Sequence, residues 1–291
     1  MSIHIKNLTH VYNKGLAFES TALDDVSIDI ENGELVCVIG HTGSGKSTLI
    51  QHMNGLLKPE SGNIWIGDID ITEKNVPMAD IRKRIGIVFQ YPEYQLFEET
   101  VRLDVEFGPK NLGLSEEEVR LAVDRAFALV GMEDETLQSR SPFELSGGQK
   151  RKVAIAGVLA MKPEVLILDE PAAGLDPKSH REILDLLLRI HEQENNIMII
   201  VSHNMQDVAD VADKVIVMDK GKCVMCASPR EIFARRNELK NMGLSTPPIT
   251  EILYEIKQKL PENKAKSFNS NILTASEAAR HIRTLVGGKI D

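Results

Sequence analysis

The sequence predicts an α/β fold: a parallel core sheet, an antiparallel β layer at the front, a helical middle segment and a small helical C-terminal domain. Three observations carry that expectation. Aliphatic runs without polar alternation recur, Leu35–Ile39, Val165-Leu166-Ile167-Leu168 and Ile197–Val201, as strands buried on both faces require. The last two end in Asp169-Glu170 and Ser202-His203, and ligands of parallel α/β sheets sit at that end of the strands. Between Leu35–Ile39 and a helical stretch over 47–53 lies Gly40-His41-Thr42-Gly43-Ser44-Gly45-Lys46-Ser47-Thr48, which fits G-x-x-x-x-G-K-[ST] at every fixed position.

That stretch reads as a phosphate cradle. Glycines let the backbone wrap an anion, and the helix N-terminus points free N–H groups and positive dipole at it. Lys46 is then expected to reach the β- and γ-phosphates of a nucleotide, and the Ser47 hydroxyl to ligate Mg²⁺. Asp169 is expected to hold the same ion from the strand opposite. Glu170 beside it is expected to polarise the water that attacks the γ-phosphate, a general-base role worth about 10² to 10⁴ in rate. His203 is placed to reach the γ-phosphate or to orient that water.

The elements follow in chain order. Ile3-His4-Ile5-Lys6-Asn7-Leu8-Thr9 and Val26-Ser27-Ile28-Asp29-Ile30 alternate as half-buried strands, and Glu31-Asn32-Gly33 offers a hairpin turn into the strand before the cradle. The loop 12–20 between them carries two aromatics, Tyr12 and Phe18. Leu57-Lys58-Pro59-Glu60-Ser61-Gly62 breaks the chain, Ile64-Trp65-Ile66 is a short strand, and a buried strand over 84–90 ends in Gln90 before irregular sequence to Phe97. Ser115, followed by Glu116, Glu117 and Glu118, caps a helix running to about Val130. Ser146 and Gln149 stand at capping-box spacing before Val153, Ala156, Gly157 and Ala160, so a second helix N-terminus is offered to an anion. Pro177 opens a helix to about Gln193, and Lys214–Asp219 is a further strand. Ser245-Thr246-Pro247-Pro248 reads as a linker to two amphipathic stretches, 249–260 and 275–285. The expected division is a main body over 1–240, with a helical subdomain over about 91–161, and a small C-terminal domain over 241–291.

Composition narrows the function. A formal net charge of -9 argues against nucleic acid as the main partner, because that binding needs a basic patch. No apolar run approaches the roughly 18 to 20 residues of a membrane span, and Met1-Ser2-Ile3-His4-Ile5-Lys6 lacks the apolar core of a signal peptide. The chain is therefore expected in the cytosol or on its face of a membrane. Cys223-Val224-Met225-Cys226 has C-x-x-C spacing, but with three cysteines in all there is no second pair to complete a metal site. The pair reads as small apolar residues of a late strand.

In their order, residues 40–48, Gln90, Leu145-Ser146-Gly147-Gly148-Gln149, Leu166-Ile167-Leu168-Asp169-Glu170, Leu175-Asp176 and His203 resemble the ATP-binding cassette of ABC transporters, a P-loop NTPase. They match its Walker A, Q-loop, signature, Walker B, D-loop and H-loop over about 1–240. The resemblance implies that two cassettes close head to tail on two ATP molecules, each held between one subunit's Walker A and the other's Ser146-Gly147-Gly148-Gln149. It also implies that Tyr12 stacks on adenine, that Gln90 binds Mg²⁺ and couples the nucleotide to a partner domain, and that Asp176 lies at the nucleotide interface.

A finer resemblance rests on Phe89-Gln90-Tyr91-Pro92-Glu93-Tyr94-Gln95-Leu96-Phe97, the loop with Gly15 and Phe18-Glu19, and the C-terminal appendage. These are similar to energy-coupling factor transporter ATPases, the importers of vitamins and of cobalt or nickel, and Gly40-His41-Thr42-Gly43 resembles the second of their two paralogous ATPases. The family implies a transmembrane coupling protein, a separate membrane subunit that binds the substrate, and a place on the cytoplasmic face of the cell membrane. Glu93, Glu98 and Glu99 are candidates to receive an Arg of the coupling protein. Cassettes of soluble machines are the alternative. DNA-repair and chromosome ATPases carry a coiled-coil insertion that nothing here resembles, and translation factors carry a second Walker A. Fe–S assembly ATPases are opposed by the sequence after Gln90 and by the C-terminal segment. A small-molecule kinase has no use for residues 145–149.

Overall fold

The computed structural model describes residues 1–286; residues 287–291, the end of the expected C-terminal domain, lie outside the described residues. The chain begins with the antiparallel pair β1 (Ile3–Tyr12) and β2 (Ser20–Ile30). Both run further than their alternation suggests. Register shifts beyond Ile5 and a left-handed Asp25 (φ 57°) change which face later residues take, and that hides the period of two. β3 (Leu35–Ile39) leads through the cradle into α1 (Lys46–Met53), and β4 (Ser61–Ile66), β5 (Ile69–Asp70) and α2 (Met78–Arg84) lead to β6 (Ile85–Val88). A 3-10 turn, Pro92–Gln95, precedes α3 (Val101–Asn111), α4 (Glu116–Val130), α5 (Glu135–Gln138) and α6 (Gly147–Leu159). Then follow β7 (Val165–Asp169), α7 (Pro177–Glu194), β8 (Ile197–Val201), α8 (Met205–Val211), β9 (Lys214–Asp219) and β10 (Lys222–Ala227). Helices α9 (Pro229–Ala234), α10 (Arg236–Asn241), α11 (Pro248–Lys259), α12 (Glu262–Ala265) and α13 (Ala275–Val286) complete the described chain.

Two sheets result, a four-stranded one in the order β2-β1-β4-β5 and a six-stranded one in the order β10-β9-β3-β8-β7-β6. β3, β6, β7, β8 and β9 are parallel, which is why their sequences are aliphatic throughout. Val36, Val38, Ile167 and Ile199 point into a core shared with the antiparallel sheet and α1. Their neighbours Cys37, Ile39, Leu166, Leu168 and Ile200 point the other way, into a core shared with α3, α4, α6 and α7. The central strands are thus gripped on both sides, and their C-terminal ends are held in fixed register.

The expected hairpin at Glu31-Asn32-Gly33 does not form. β2 belongs to the antiparallel sheet and β3 to the parallel one, so this turn carries the chain from one layer to the other. A strand buried on both faces finds its partners among other such strands, here β8 and β9. Cys223 and Cys226 lie on β10, where burial pushes the Cys223 thiol up to about 11, which makes it a packing group rather than a reactive one.

Beyond α10, Leu253, Phe268, Ile272 and Ala278 form a separate apolar cluster. The Ser245-Thr246-Pro247-Pro248 stretch, read as a linker, is held in place. Thr246 is buried and its hydroxyl donates to Glu251 at 2.9 Å, and Glu251 also pairs with Arg236 of α10. Gln206 of α8 donates to the Leu273 carbonyl at 3.3 Å, and Arg230 of α9 pairs with Glu277.

Candidate nucleotide and hydrolysis site

The cradle is the connection from β3 to α1. A Cβ on Gly40 would stand 2.3 Å from the Met218 carbonyl, and one on Gly45 (φ 104°) would stand 2.5 Å from that of Ala22. Only glycine lets the loop pass between β9 and β2 at these points. Ser44 is fully buried, its carbonyl accepts from Gly221 N–H at 3.0 Å, and the His41 ring nitrogens lie 2.9 Å from Asp219 Oδ1 and 2.7 Å from the Thr42 carbonyl. The loop is therefore held by the chain's own contacts. Lys46 folds back over it, donating from Nζ to the carbonyls of Gly40 (2.8 Å) and His41 (3.0 Å). Burial pushes the Lys46 ammonium down, while Glu170 and Asp169 oppose that shift.

Parallel pairing in the order β8-β7-β6 brings three strand ends together. Glu170 leaves β7 in the left-handed region (φ 52°), its N–H donating to the Val201 carbonyl at 3.0 Å. That twist turns its carboxylate toward both neighbours. Oε2 accepts from Gln90 Nε2 at 2.7 Å, and Oε1 lies 2.8 Å from His203 Nδ1. The Glu170 side chain is 16% exposed and that of His203 66%, so a sheltered carboxylate stands beside an open imidazole. Asp169, one residue earlier, faces the cradle, where Ser47 Oγ lies 3.4 Å from its Oδ2.

Burial and then the charge of Glu170 raise the Asp169 carboxyl above its ordinary range, against the pull of Ser47 and Lys46. This carboxyl takes stability away as pH climbs from the unfolded carboxylate range to its raised folded value, and above that value the penalty stands in full. Asp169→Asn is therefore expected to raise the melting temperature of the nucleotide-free chain at pH 7 by about 1 to 4 °C while ATP turnover falls. Melting curves from pH 4 to 8 check this; a variant that melts below the parent at pH 7 would refute it.

Tyr12, at the end of β1, sits over the same helix, with its hydroxyl 3.3 Å from Thr48 Oγ1 and its ring edge-on to His10 at 4.5 Å. The other expected site residues lie elsewhere. Ser146 caps α6, taking the Gln149 N–H at 3.3 Å while Gln149 Oε1 accepts from Ser146 N–H at 3.0 Å. Gly147 and Gly148 open that helix, which packs on α3, α4, β6 and α7, whereas α1 packs on β2 and β4. Asp176 caps α7, accepting from the N–H groups of Lys178 (3.0 Å) and Ser179 (3.1 Å), and the Ser179 contacts hold its carboxyl below the usual range.

Glu93 is not an open acidic group. Its carboxylate takes both hydrogen bonds from Arg151 Nη2, at 3.2 and 3.1 Å. A further pair was also hidden from sequence reasoning. His180 Nε2 lies 2.9 and 3.0 Å from the two oxygens of Asp207 and joins α7 to α8 behind a cavity of about 50 Å³ that Glu170 and His203 also line. Each stands one helical turn past a motif residue, Asp176 or His203, and that spacing was the only local signal available.

The ABC transporter family model matches residues 23–173. Over nearly its whole length the chain is similar to curated energy-coupling factor transporter ATP-binding proteins EcfA2. The one from Clostridium tetani is 54% identical over 289 residues, 99% of both chains. The one from Caldanaerobacter subterraneus subsp. tengcongensis is 52% identical over 288 residues, 99% of both. Among solved structures it resembles cbiO1 from Clostridium perfringens, described as part of the ABC transporter complex cbiONQ, with TM-score 0.73, 39% identity, and 83% of this chain and 94% of that one covered. It also resembles an ATP-binding cassette solved as a dimer in a post-hydrolysis state with ADP and Pi, with TM-score 0.68, 29% identity, and coverage of 78% and 98%. A cradle facing Asp169 and Glu170, a capped signature helix and this full-length likeness together place the chain in the ABC transporter family, among its energy-coupling factor transporter ATP-binding proteins.

Proposed function

We propose that this chain hydrolyses ATP to drive a membrane importer of the energy-coupling factor type, bringing in a vitamin or a transition-metal ion. The observation that carries the reading is the meeting of Gln90, Glu170 and His203 at adjoining strand ends, beside a cradle whose carbonyls Lys46 bonds. Phosphoryl transfer asks a protein for position and charge rather than covalent help, and these residues offer both.

Each role follows from where the side chain lies. The N–H groups of residues 40–48 wrap the phosphates, and Lys46 moves its ammonium from the loop carbonyls to the β- and γ-oxygens. Asp169 and Glu170 put two carboxylates beside one buried ammonium, and the raised Asp169 carboxyl marks a place that favours a further cation. Ser47, Asp169 and the carbonyl oxygen of Gln90 fit Mg²⁺ as hard oxygen donors, and the ion would neutralise charge developing on the phosphates. Glu170 takes a proton from the attacking water, and His203 holds the carboxylate from its other side. Tyr12 stacks on the adenine.

Ser146-Gly147-Gly148-Gln149 and Asp176 would act on the ATP of a second cassette, itself or a paralogue, in a head-to-tail dimer. The α6 start packs on other elements than α1 does, and the first-turn N–H groups that its cap leaves free suit a phosphate on another chain. Among the described residues no helix is long and apolar enough to cross a membrane; in this reading a transmembrane coupling protein supplies the pore and a membrane substrate-binding subunit the specificity. The chain would sit against them as a peripheral protein on the cytoplasmic face of the cell membrane. With Glu93 engaged by Arg151, Glu98 and Glu99 remain to receive an Arg of the coupling protein. Residues 1–240 would form the cassette, with its helical subdomain over about 91–161, and 241–291 the small C-terminal domain.

Extraction of the tagged chain from its native cells in mild detergent tests this reading. A multi-span coupling protein, a second ATPase and small membrane subunits are expected to co-purify. Recovery of soluble partners alone would overturn it.

A further inference from the structure

We propose that Arg151 is a positioning residue that ties the rate of hydrolysis at Glu170 to the place of the turn following Gln90. This rests on the ATPase reading above. Arg151 is the middle of three consecutive cations, Lys150-Arg151-Lys152, and by composition alone belongs on a solvated face. Instead its side chain is 1% exposed.

Three segments share this one ion. Nη1 donates to the carbonyls of Pro171 (3.0 Å) and Ala173 (2.8 Å), just past Glu170. Nη2 donates to both oxygens of Glu93 on the Pro92–Gln95 turn. The third segment is α6 itself, which begins at the signature residues. At the front of the same junction, Gln90 Nε2 donates to Glu170 Oε2 at 2.7 Å. The two strand ends are thus joined by the Gln90 amide, and the segments that follow them, the turn and the backbone after Glu170, by the Arg151 guanidinium. At this junction Tyr91 (φ 55°) and Glu170 (φ 52°) both hold left-handed conformations that non-glycine residues keep only when their surroundings enforce them.

A buried guanidinium keeps its place only while its partners stay. If the turn moves, Glu93 either drags Arg151, and with it Pro171 and Ala173, or leaves an unpaired charge in the core. Tyr94 and Phe97 are exposed on and just after the turn, so a partner seated there would bear on Glu93. The second outcome is costly because it strands a buried charge, so the turn and the segment after Glu170 move together, and a misplacement of about 1 Å at a reacting group costs about 10²-fold in rate.

The test uses the assembled complex purified from membranes of cells making the variant chain. Arg151→Lys keeps the charge but loses the planar fork that serves four acceptors. The kcat for ATP is expected to fall about 10- to 100-fold while KM changes less than about twofold. Arg151→Met combined with Glu93→Gln removes both charges at similar volume, so the melting temperature is expected to return toward the parent while turnover stays low. Turnover that recovers with the melting temperature would show a merely structural role, and unchanged kinetics in Arg151→Lys, or a raised KM with kcat intact, would overturn the proposal. A parent complex that hydrolyses no ATP would sink the ATPase reading along with it.

Discussion

Glu170→Gln is expected to lower steady-state ATP hydrolysis by about 10² to 10⁴ while ATP binding persists. The side chain is the one carboxylate that Gln90 and His203 both hold, at 2.7 and 2.8 Å. Glutamine has the same shape, so its oxygen can still accept from Gln90 and its amide can donate to the other tautomer of His203. Backbone and neighbours stay in place, and what is lost is the ability to take a proton. If, as proposed, two cassettes close head to tail on ATP and hydrolysis reopens them, ATP should now accumulate the closed form. Phosphate release and size-exclusion profiles with and without ATP measure the two effects together. Near-normal turnover in the variant would remove Glu170 from the role of base and leave water positioning to His203.

Lys46→Ala is expected to weaken ATP binding about 100-fold, as the loss of two charge-assisted hydrogen bonds to phosphate implies. The nucleotide-free fold should barely notice. Its Nζ bonds two loop carbonyls, but burial already works against the ammonium, and those carbonyls can turn to water. The melting temperature is therefore expected to move by less than about 3 °C. Titration with a fluorescent ATP analogue, run beside a melting curve, separates the cases. If affinity holds while the melting temperature drops, Lys46 is a structural tie of the loop and not a phosphate ligand.

The candidate site was legible as a cradle and polar strand ends because phosphate chemistry constrains local sequence. A loop that must approach an anion needs glycine at fixed places, and Gly40 and Gly45 lie where a Cβ would strike a carbonyl. Strands covered on both faces must be aliphatic, so Leu35–Ile39 and Ile197–Val201 announced themselves, and so did the polar residues at their ends. Helix starts were legible for the same local reason. The capping boxes at Ser115 and Ser146 close within four residues.

What failed or stayed hidden lay in contacts between distant segments. Glu31-Asn32-Gly33 has hairpin composition, yet which sheet the next strand joins depends on β8 and β9, more than 150 residues on. Glu93 reads as one more exposed acid until a cation 58 residues later, Arg151, turns inward to meet it. His180 and Asp207 belong to different helices and become a pair only when α7 and α8 pack. The sequence by itself determined the aliphatic core strands, the capped helix starts and the cradle, because each depends on neighbours within one turn or one strand. Only the tertiary structure decided which strand ends adjoin and which charges are consumed inside the chain, because burial and pairing are set by segments that meet only on folding.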